Sequence, residues 1–190
     1  MEINKTAKIY IQRKAFEKYY TKVLCFDFSV SLKVKPNSQY VLLDGNYTID
    51  NDLRLFVTPL GENISPMNNS LLMENKLLDN FEHEQNLIIN ENNKKVLFMG
   101  CGHKGVINIL KCAKENIDYC IGGFHLCNPV SKKRVSDEYL DRLINDLKQY
   151  KTIFYTCHCT GEYCYRYLRD KNPNINYLKC GEEIVLCMNY

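Results

Sequence analysis

The sequence predicts a single α/β domain over residues 1–190, and the order of its apolar segments carries this prediction. From residue 87 onward, short apolar runs alternate with segments whose apolar residues recur at helical spacing, which gives the order β-α-β-α-β-α-β. The first third instead holds strand-like runs separated by turn residues. With 190 residues and 45% apolar content, the chain is long enough to bury a hydrophobic core.

The first third is expected to be rich in β-strands, with one short helix over Ala15–Tyr20. The predicted strands are Lys8–Gln12, Val23–Phe28, Tyr40–Leu43 and Leu53–Thr58. A hairpin-type turn is expected at Asp44-Gly45-Asn46. Residues 60–82 are punctuated by proline, glycine and paired asparagine, so we expect them to be the least regular part of the chain.

The remaining two thirds predict strands and helices in alternation. The predicted strands are Leu87–Asn90, Val96–Met99, Tyr119–Ile121, Ile153–Thr156 and Glu183–Met188. Apolar residues on one helical face predict helices near residues 106–113, 137–147 and 162–169. Ser136 is the expected N-cap of the second of these helices.

Charge and cysteine usage exclude several classes of protein. The net charge of +3 is spread evenly, so it predicts binding neither to nucleic acid nor to an anionic membrane. No apolar run approaches the roughly 18 residues that a membrane helix needs, and no signal peptide is visible, so we expect a cytoplasmic protein. Several of the ten cysteines lie inside apolar runs, which is typical of reduced, buried thiols.

Three of the four histidines directly follow an apolar strand and lie in a turn of small residues. His103 ends the run Gly-Cys-Gly-His, His125 ends Gly-Gly-Phe-His, and His158 stands in Cys-His-Cys. Ligands of α/β sheets bind beyond the carboxyl ends of the strands, so neighbouring parallel strands would bring these imidazoles to one edge. Imidazole is a common metal ligand and acid–base group, which predicts a shared site. His83 precedes a strand, and a surface position and a site position both stay open for it.

The segments around these turns resemble one branch of the metallo-β-lactamase superfamily, the proteins similar to dihydropterin–ribofuranosylaminobenzene phosphate synthase. The likeness rests on Glu84–Ile89, on Val96–Leu110, on Ile121–Leu126 and on His158–Gly161. It is strongest over residues 80–190 and weaker near Ile9–Ile11. The resemblance implies an αββα sandwich with one or two metal ions, usually zinc and sometimes iron or manganese.

The resemblance also implies functional roles for particular residues. His103 and His158 match late metal ligands of the family, and Cys101 is a candidate for the group that bridges two metals. His125 is the candidate catalytic residue, which orients substrate or binds metal. Thr160 and Gly161 are expected to contact a substrate or an anion, because helix N-termini attract anions.

One part of the family pattern is missing. The chain contains no His-x-His-x-Asp-His motif, and no histidine precedes His83. The resemblance therefore implies the later half of the sandwich, a mixed sheet with flanking helices, whose metal centre lacks its first ligands. A catalytic zinc needs three protein ligands and an open position. Half a sandwich would expose an apolar sheet face, so we expect self-association, a separately encoded N-terminal half, or a rearrangement that covers this face.

Three functions stay open from the sequence. The first is a metal-dependent hydrolase or group-transfer protein that is complete only with the missing half. The second is a non-catalytic remnant or binding module of the same fold. The third is a metal or redox site that uses the cysteines and histidines of two turns, namely Cys101, His103, Cys157, His158 and Cys159.

Overall fold

The computed structural model describes residues 4, 6–62, 64–128 and 131–186. The strands in this part of the chain are β1 (Ile9–Gln12), β2 (Tyr19–Val23), β3 (Phe26–Ser29), β4 (Tyr40–Leu43), β5 (Tyr47–Thr48), β6 (Leu53–Phe56), β7 (Leu71–Met73), β8 (Asn86–Glu91), β9 (Lys94–Phe98), β10 (Tyr119–Ile121), β11 (Ile153–Thr156) and β12 (Ile175–Tyr177). The α-helices are α1 (Val106–Ala113), α2 (Asp137–Leu147) and α3 (Glu162–Lys171). Short 3-10 helices span Arg13–Phe16, Pro66–Ser70 and His158–Thr160.

A seven-stranded mixed sheet in the order β12-β11-β10-β9-β8-β6-β5 organises the fold. Strands β9 to β12 pair in parallel, and each successive pair is connected through one of the helices α1, α2 and α3. Strands β8, β6 and β5 continue the sheet in antiparallel pairing. The predicted alternation of strand and helix is therefore confirmed, and it generates the parallel half of the sheet.

The three helices cover one face of this sheet and form the hydrophobic core with it. Leu97, Cys120 and Phe154 point from neighbouring strands into that core and are completely buried. The helices contribute buried apolar residues at helical spacing, such as Ile109 in α1 and Leu140 in α2. Ser136 caps α2 by accepting a hydrogen bond from the backbone amide of Tyr139, as the sequence predicts.

The opposite face of the sheet carries a row of apolar side chains. Leu87, Phe98, Ile121 and Tyr155 are register partners across β8, β9, β10 and β11. They face away from the helices, because side chains alternate along a strand and their neighbours, such as Leu97, point into the core. The side chain of Phe98 is 36% exposed, and the other three are half-buried. A row of this kind is where a second layer packs in a sandwich.

Two smaller sheets come from the first third of the chain. Strands β3, β2 and β7 form an antiparallel sheet in that order, and β1 pairs in parallel with β4. The segment predicted to be least regular, residues 60–82, thus contains a 3-10 helix and the strand β7. Within the described residues, no helix has the length and apolar character needed to cross a membrane.

Three predictions for the first third are wrong. The hairpin expected at Asp44-Gly45-Asn46 does not form, because β4 pairs with β1 whereas β5 pairs with β6 in a different sheet. The helix expected over Ala15–Tyr20 is a 3-10 turn over Arg13–Phe16 followed by strand β2, because Tyr19 and Tyr20 pair with β7 and β3. The single strand expected over Val23–Phe28 is interrupted by a turn at Leu24, which has a φ of 56°. An unbroken apolar run does not by itself reveal the reversal of the chain.

The last strand is also predicted at the wrong place. Within the predicted strand Glu183–Met188, residues 183–186 are not in a strand, and residues 187–188 lie outside the described part of the chain. The strand that ends the sheet is β12, in which Ile175 is fully buried and pairs with Phe154. β12 has only three residues, which is too few to show an alternating pattern of apolar and polar residues. It also comes shortly after Pro173, which in the sequence indicates a turn.

Candidate functional site

The three histidine turns meet at one edge of the main sheet. Phe98, Ile121 and Tyr155 lie side by side at the carboxyl ends of β9, β10 and β11, so the turns that follow them emerge together. The rings of His103 and His125 have centroids 4.4 Å apart. The convergence predicted from the strand ends is therefore present in the structure.

Close backbone approaches in these turns require glycine. A Cβ atom on Gly102, which has a φ of +61°, would lie 2.7 Å from the carbonyl oxygen of Gly123. A Cβ atom on Gly123 would lie 2.5 Å from Sγ of Cys159. His125 and His158 both have a φ of 47°, which is uncommon for residues other than glycine. Strained backbone of this kind concentrates at functional sites.

Cys101, His158 and Cys159 form a compact group of metal-ligand type. One ligand atom from each residue lies within 4.8 Å of the ligand atoms of the other two. Sγ of Cys101 is 3.9 Å from Nδ1 of His158, and the thiol of Cys159 donates to the carbonyl oxygen of Cys101 at 3.7 Å. Cys159 is buried, Cys101 is half-buried and His158 is exposed, so the group is reached from solvent at its His158 side. Cys159 was predicted only as part of the cysteine–histidine alternative.

The electrostatic environment favours the thiolate form of Cys101. The neighbouring thiol of Cys159 has the largest effect in holding the pKa of the Cys101 thiol well below its usual range, and the nearby imidazole of His125 adds to it, although burial opposes this. The same thiolate raises the pKa of Cys159 far above normal, so Cys159 keeps its proton while no cation is present. A thiolate is the form of cysteine that binds metals and attacks electrophiles.

We expect the lowered pKa of Cys101 to appear in its alkylation by iodoacetamide. In metal-free folded protein, the alkylation rate of Cys101 should stay nearly constant from pH 6 to pH 9, because the thiol is already ionised throughout this range. In the denatured protein, where an ordinary thiol has a pKa of about 8.5, the rate should rise at least about a hundredfold over the same range. Peptide mass spectrometry measures both pH profiles, and a folded-state rate that rises as steeply as the denatured-state rate would contradict a folded-state thiolate.

His125 is half-buried, but both of its ring nitrogens are buried without hydrogen-bond partners. Neither Nδ1 nor Nε2 makes a hydrogen bond of normal geometry within the described residues. Its backbone is held firmly, because its carbonyl oxygen accepts from the hydroxyl of Ser65 and the next amide, that of Leu126, donates to the carbonyl of Cys159. An imidazole with two buried, unsatisfied nitrogens lacks a partner that a ligand could supply.

Glu84 holds His103 and was missed by the sequence analysis. One carboxylate oxygen of Glu84 lies 3.0 Å from both the backbone nitrogen and Nδ1 of His103, and the other accepts from the amide of Lys104 at 3.2 Å. Burial alone would lower the pKa of His103, but the bond and charge of Glu84 raise it. The ring of His103 stacks on Phe81 with centroids 4.7 Å apart. Because Nδ1 of His103 faces the carboxylate of Glu84, Nε2 is the ring nitrogen that remains for binding a ligand or transferring a proton.

A signal for Glu84 was present in the sequence. Strands β8 and β9 form an antiparallel hairpin in which Leu87 pairs with Phe98. Residues just before β8 therefore lie at the same edge as residues just after β9, and Glu84 and His103 occupy those two positions. The predicted strands Leu87–Asn90 and Val96–Met99 are separated by only a short polar segment, which is typical of antiparallel neighbours and implies this proximity.

Thr160 has a structural role in the described residues. Its side chain is completely buried, and its hydroxyl accepts a hydrogen bond from the backbone amide of Phe124 and contacts the hydroxyl of Thr156. These hydrogen bonds fix the conformation of the turn that carries His125. Gly161 caps α3 with a φ of 75°, and a Cβ atom there would lie 2.6 Å from Cβ of Cys127. The predicted contact of Thr160 and Gly161 with an anion stays a prediction, and the hydroxyl of Thr160 is not free for it.

No protein-family model matches the chain. The uncharacterized protein MJ0448 of Methanocaldococcus jannaschii is 37% identical over 70 residues, which are 36% of this chain and 25% of that protein. The match thus spans a quarter of the length of this curated relative.

A solved structure resembles most of the chain. Tm1679, described as a metal-dependent hydrolase of the β-lactamase superfamily, aligns over 97% of this chain and 73% of its own length, with a TM-score of 0.74 and 19% identity. A match at that identity shows the fold alone. The chain therefore has a mixed α/β fold similar to that of Tm1679, which agrees with the fold class that its sequence predicts.

Proposed function

We propose that this chain binds zinc at the sheet edge and acts as a metal-dependent hydrolase or group-transfer protein of the metallo-β-lactamase type. The observation that carries the proposal is the group formed by Cys101, His158 and Cys159, with the partnerless imidazole of His125 beside it. The fold shared with a protein described as a metal-dependent hydrolase supports the same reading. We include in this proposal that the chain belongs to the branch of proteins similar to dihydropterin–ribofuranosylaminobenzene phosphate synthase, which the histidine turns resemble.

The donor atoms fit zinc better than iron or manganese. Two thiolates and one or two imidazoles are soft and borderline ligands, whereas manganese prefers oxygen. In a tetrahedral zinc site, sulfur and nitrogen ligands lie roughly 3.5 Å apart. The 3.9 Å between Sγ of Cys101 and Nδ1 of His158 needs only a small closure to reach that value.

A zinc ion bound here would supply Lewis-acid activation of an ester or a phosphodiester. The chain's own residues would hold the ion, orient the substrate and hold or accept a proton. Cys101 and His158 would hold the ion together with Cys159, and His125 would serve as a fourth donor or orient the substrate. His103, which lies outside the compact group, would hold or accept a proton at Nε2 while Glu84 fixes its orientation.

A second candidate is a non-catalytic zinc-binding module of the same fold. It is favoured by the donor count, because Cys101, Cys159, His125 and His158 together would fill all four positions of a tetrahedral zinc. Structural zinc sites are closed in this way, whereas catalytic sites keep one position open. The cysteines in the described residues are free thiols, which suits either role in a reducing cytoplasm.

Zinc stoichiometry and hydrolysis measured together test both candidates. The purified chain, stripped and reloaded, should bind close to one zinc per chain, and cobalt in its place should show a thiolate charge-transfer absorption. Hydrolysis of bis-(4-nitrophenyl) phosphate or 4-nitrophenyl acetate by the zinc form, absent from the stripped form, supports the hydrolase. Zinc without hydrolysis supports the module, and no zinc binding contradicts both.

We also propose that the apolar row of β8 to β11 is covered in solution by self-association or by a separately encoded N-terminal half. Four apolar side chains in register form a row that is only partly covered, with Phe98 as its most exposed member. Covering the row would remove this apolar surface from water. A separate half could add the ligands that the resemblance expects before His83.

The apolar row predicts that Phe98→Ser shifts the chain toward monomer. The variant removes the most exposed member of the row without touching the buried core. Sedimentation velocity should show a dimer or larger species for the natural chain and a smaller average mass for the variant. Leu60→Ser, at an exposed leucine outside the row, is the matched control. A natural chain that sediments as a compact monomer, unchanged by Phe98→Ser, would argue against self-association.

A further inference from the structure

A line of exposed apolar side chains follows the edge of the small antiparallel sheet. Apolar residues occupy every second position from the turn before β3 to the segment after it, and from β3 onward the residues between them are polar or charged. A half-buried strand of this pattern normally turns its apolar side chains toward the core. Here each of them is between 45% and 90% exposed, and we call the six residues the edge stripe: Leu24, Phe26, Phe28, Val30, Leu32 and Val34.

The backbone of β3 is paired on one side only. Within the described residues, β3 pairs with β2 alone and lies at one end of the sheet order β3-β2-β7. Its other edge therefore presents backbone N–H and C=O groups to a further strand. Soluble proteins usually block such an edge with lysine, proline or a bulge, but β3 has the sequence Phe-Asp-Phe-Ser and a regular register with β2. An edge that is both apolar and unblocked is suited to binding another strand.

The edge stripe borders a cavity of about 450 Å³. Val30 and Leu32 line this cavity, and its other apolar walls include Ile11 and Leu71. His83, for which the sequence left a surface and a site position open, lines the cavity as well. The edge stripe and the cavity therefore form one continuous apolar surface on this side of the molecule.

The area of the edge stripe fits a protein partner. Six side chains of this size at these exposures present on the order of 500 Å² of apolar surface, whereas each partner of a standard interface buries roughly 800 Å² in total. The strand backbone and the rim of the cavity would supply the remainder. A small molecule in the cavity would leave the two phenylalanines of β3 exposed.

The charges beside the edge stripe favour a second copy of this chain as the partner. Asp27 lies near the start of the segment, whereas Lys33 and Lys35 lie near its end. In an antiparallel pair of identical strands, the start of one lies beside the end of the other, so Asp27 of each copy approaches the lysines of the second. Parallel copies would place like charges together. One carboxylate oxygen of Asp27 contacts Nζ of Lys76 in its own chain at 2.8 Å, and the other oxygen can accept from a further donor.

We propose that the free edge of β3 pairs in antiparallel orientation with β3 of a second copy about a twofold axis, which joins the two small sheets into one. Side chains directly opposite each other lie on the same face of such a sheet, so the edge stripes of the two copies contact each other. The chain bends at Ser31, whose hydroxyl is bonded to the backbone of Tyr19. The backbone pairing therefore involves β3, and the residues after the bend add side-chain contacts.

This surface is separate from the apolar row of β8 to β11 and from the metal-ligand group. The proposal therefore does not rest on the proposed function. The same dimer dissociation constant should be found for metal-stripped and for zinc-loaded protein, so a failure of the zinc proposal and a failure of this proposal are visible separately.

Sedimentation velocity of chains that carry Phe98→Ser tests the proposal, because this change removes association through the apolar row. The Phe98→Ser chain should still form a dimer. Adding Phe28→Lys should raise the dimer dissociation constant at least about tenfold, since a lysine on the edge opposes pairing. Adding Leu60→Lys instead should leave the dimer unchanged, because Leu60 is as exposed as Phe28, at 53%, but lies outside the edge stripe. Circular dichroism establishes that each variant is folded.

Lys33→Asp tests the antiparallel orientation in the same background. It places a carboxylate beside Asp27 of the second copy, so the dimer should weaken several-fold at low ionic strength and less at about 0.5 M salt. Lys151→Asp makes the same change in net charge at an exposed position outside the edge stripe and should have no effect. A dimer that Lys33→Asp leaves unchanged would contradict the antiparallel pairing.

Three further results would overturn the proposal. The first is a Phe98→Ser chain that sediments as a monomer at all concentrations. The second is a dimer that Phe28→Lys and Leu60→Lys weaken equally. The third is a monomer that binds phosphatidylcholine vesicles and loses this binding with Phe28→Lys, since the edge stripe would then contact a membrane surface.

Discussion

Cys101→Ser is expected to lower the zinc affinity of this chain by at least about a hundredfold. A serine hydroxyl does not ionise at neutral pH and is a poor ligand for zinc, so the site loses one of its two thiolates. Loss of a group that only orients a metal ligand costs about 10–100-fold in metal affinity, and loss of a direct ligand should cost no less. His158→Ala, which removes the exposed nitrogen 3.9 Å from Sγ of Cys101, should have a similar effect.

Cys157→Ser is the matched control for this prediction. Cys157 belongs to the same turn and is half-buried, but its sulfur is not among the compact group of ligand atoms. It should therefore keep the zinc affinity of the natural chain. Competition with a chromophoric chelator measures all three variants. An equal loss of zinc in Cys157→Ser and Cys101→Ser would mean that the metal is held elsewhere or that the turn has collapsed.

The meeting of the histidine turns could be predicted because it follows from topology. Parallel neighbouring strands end at one edge, so His103, His125 and His158 had to lie together once β9, β10 and β11 were adjacent. The helices were predictable for a related reason, since their buried residues recur at helical spacing in α1 and α2. Both features depend on local patterns and one rule of sheet order.

What the sequence did not reveal depends on contacts between distant segments. Nothing local marks Tyr19 as a strand residue whose ring packs on His83, because the pairing of β2 with β7 spans some fifty residues. In the sequence, Glu84 is simply an acidic residue in a polar loop. Its role in orienting His103 becomes visible only from its burial and its hydrogen bond with that imidazole. The contact of Cys159 with Cys101 was likewise not predictable, because it depends on how two turns from distant parts of the chain pack together.

Glu84→Gln is expected to lower the free energy of unfolding by about 3 kcal/mol. The carboxylate is 8% exposed and holds two backbone amides and the imidazole of His103, so its loss leaves a buried histidine without its ionic partner. Breaking a buried pair on one side typically costs about 3–5 kcal/mol, and the partial exposure of His103 places this case at the lower end. Urea denaturation at pH 6 measures the change.

Glu82→Gln provides the control, since Glu82 lies two residues away and is exposed, with its carboxylate 3.7 Å from Nζ of Lys14. A surface change of this kind should stay within about 0.5 kcal/mol. A loss as large as that of Glu84→Gln would show that any charge removed from this loop is destabilising.

The difference in stability between the natural chain and Glu84→Gln should depend on pH in a defined direction. Burial opposes ionisation of Glu84, but its hydrogen bonds with His103 and Lys104 lower its pKa below 4.5, so its contribution is lost as pH falls through that lowered value. The pKa of His103 is raised above 6.5, so the ionic contribution is lost as pH rises through that raised value. The difference should therefore be largest between pH 4.5 and 6.5. A difference that stays constant from pH 4 to 9 would mean that packing, and not the ion pair, accounts for the role of Glu84.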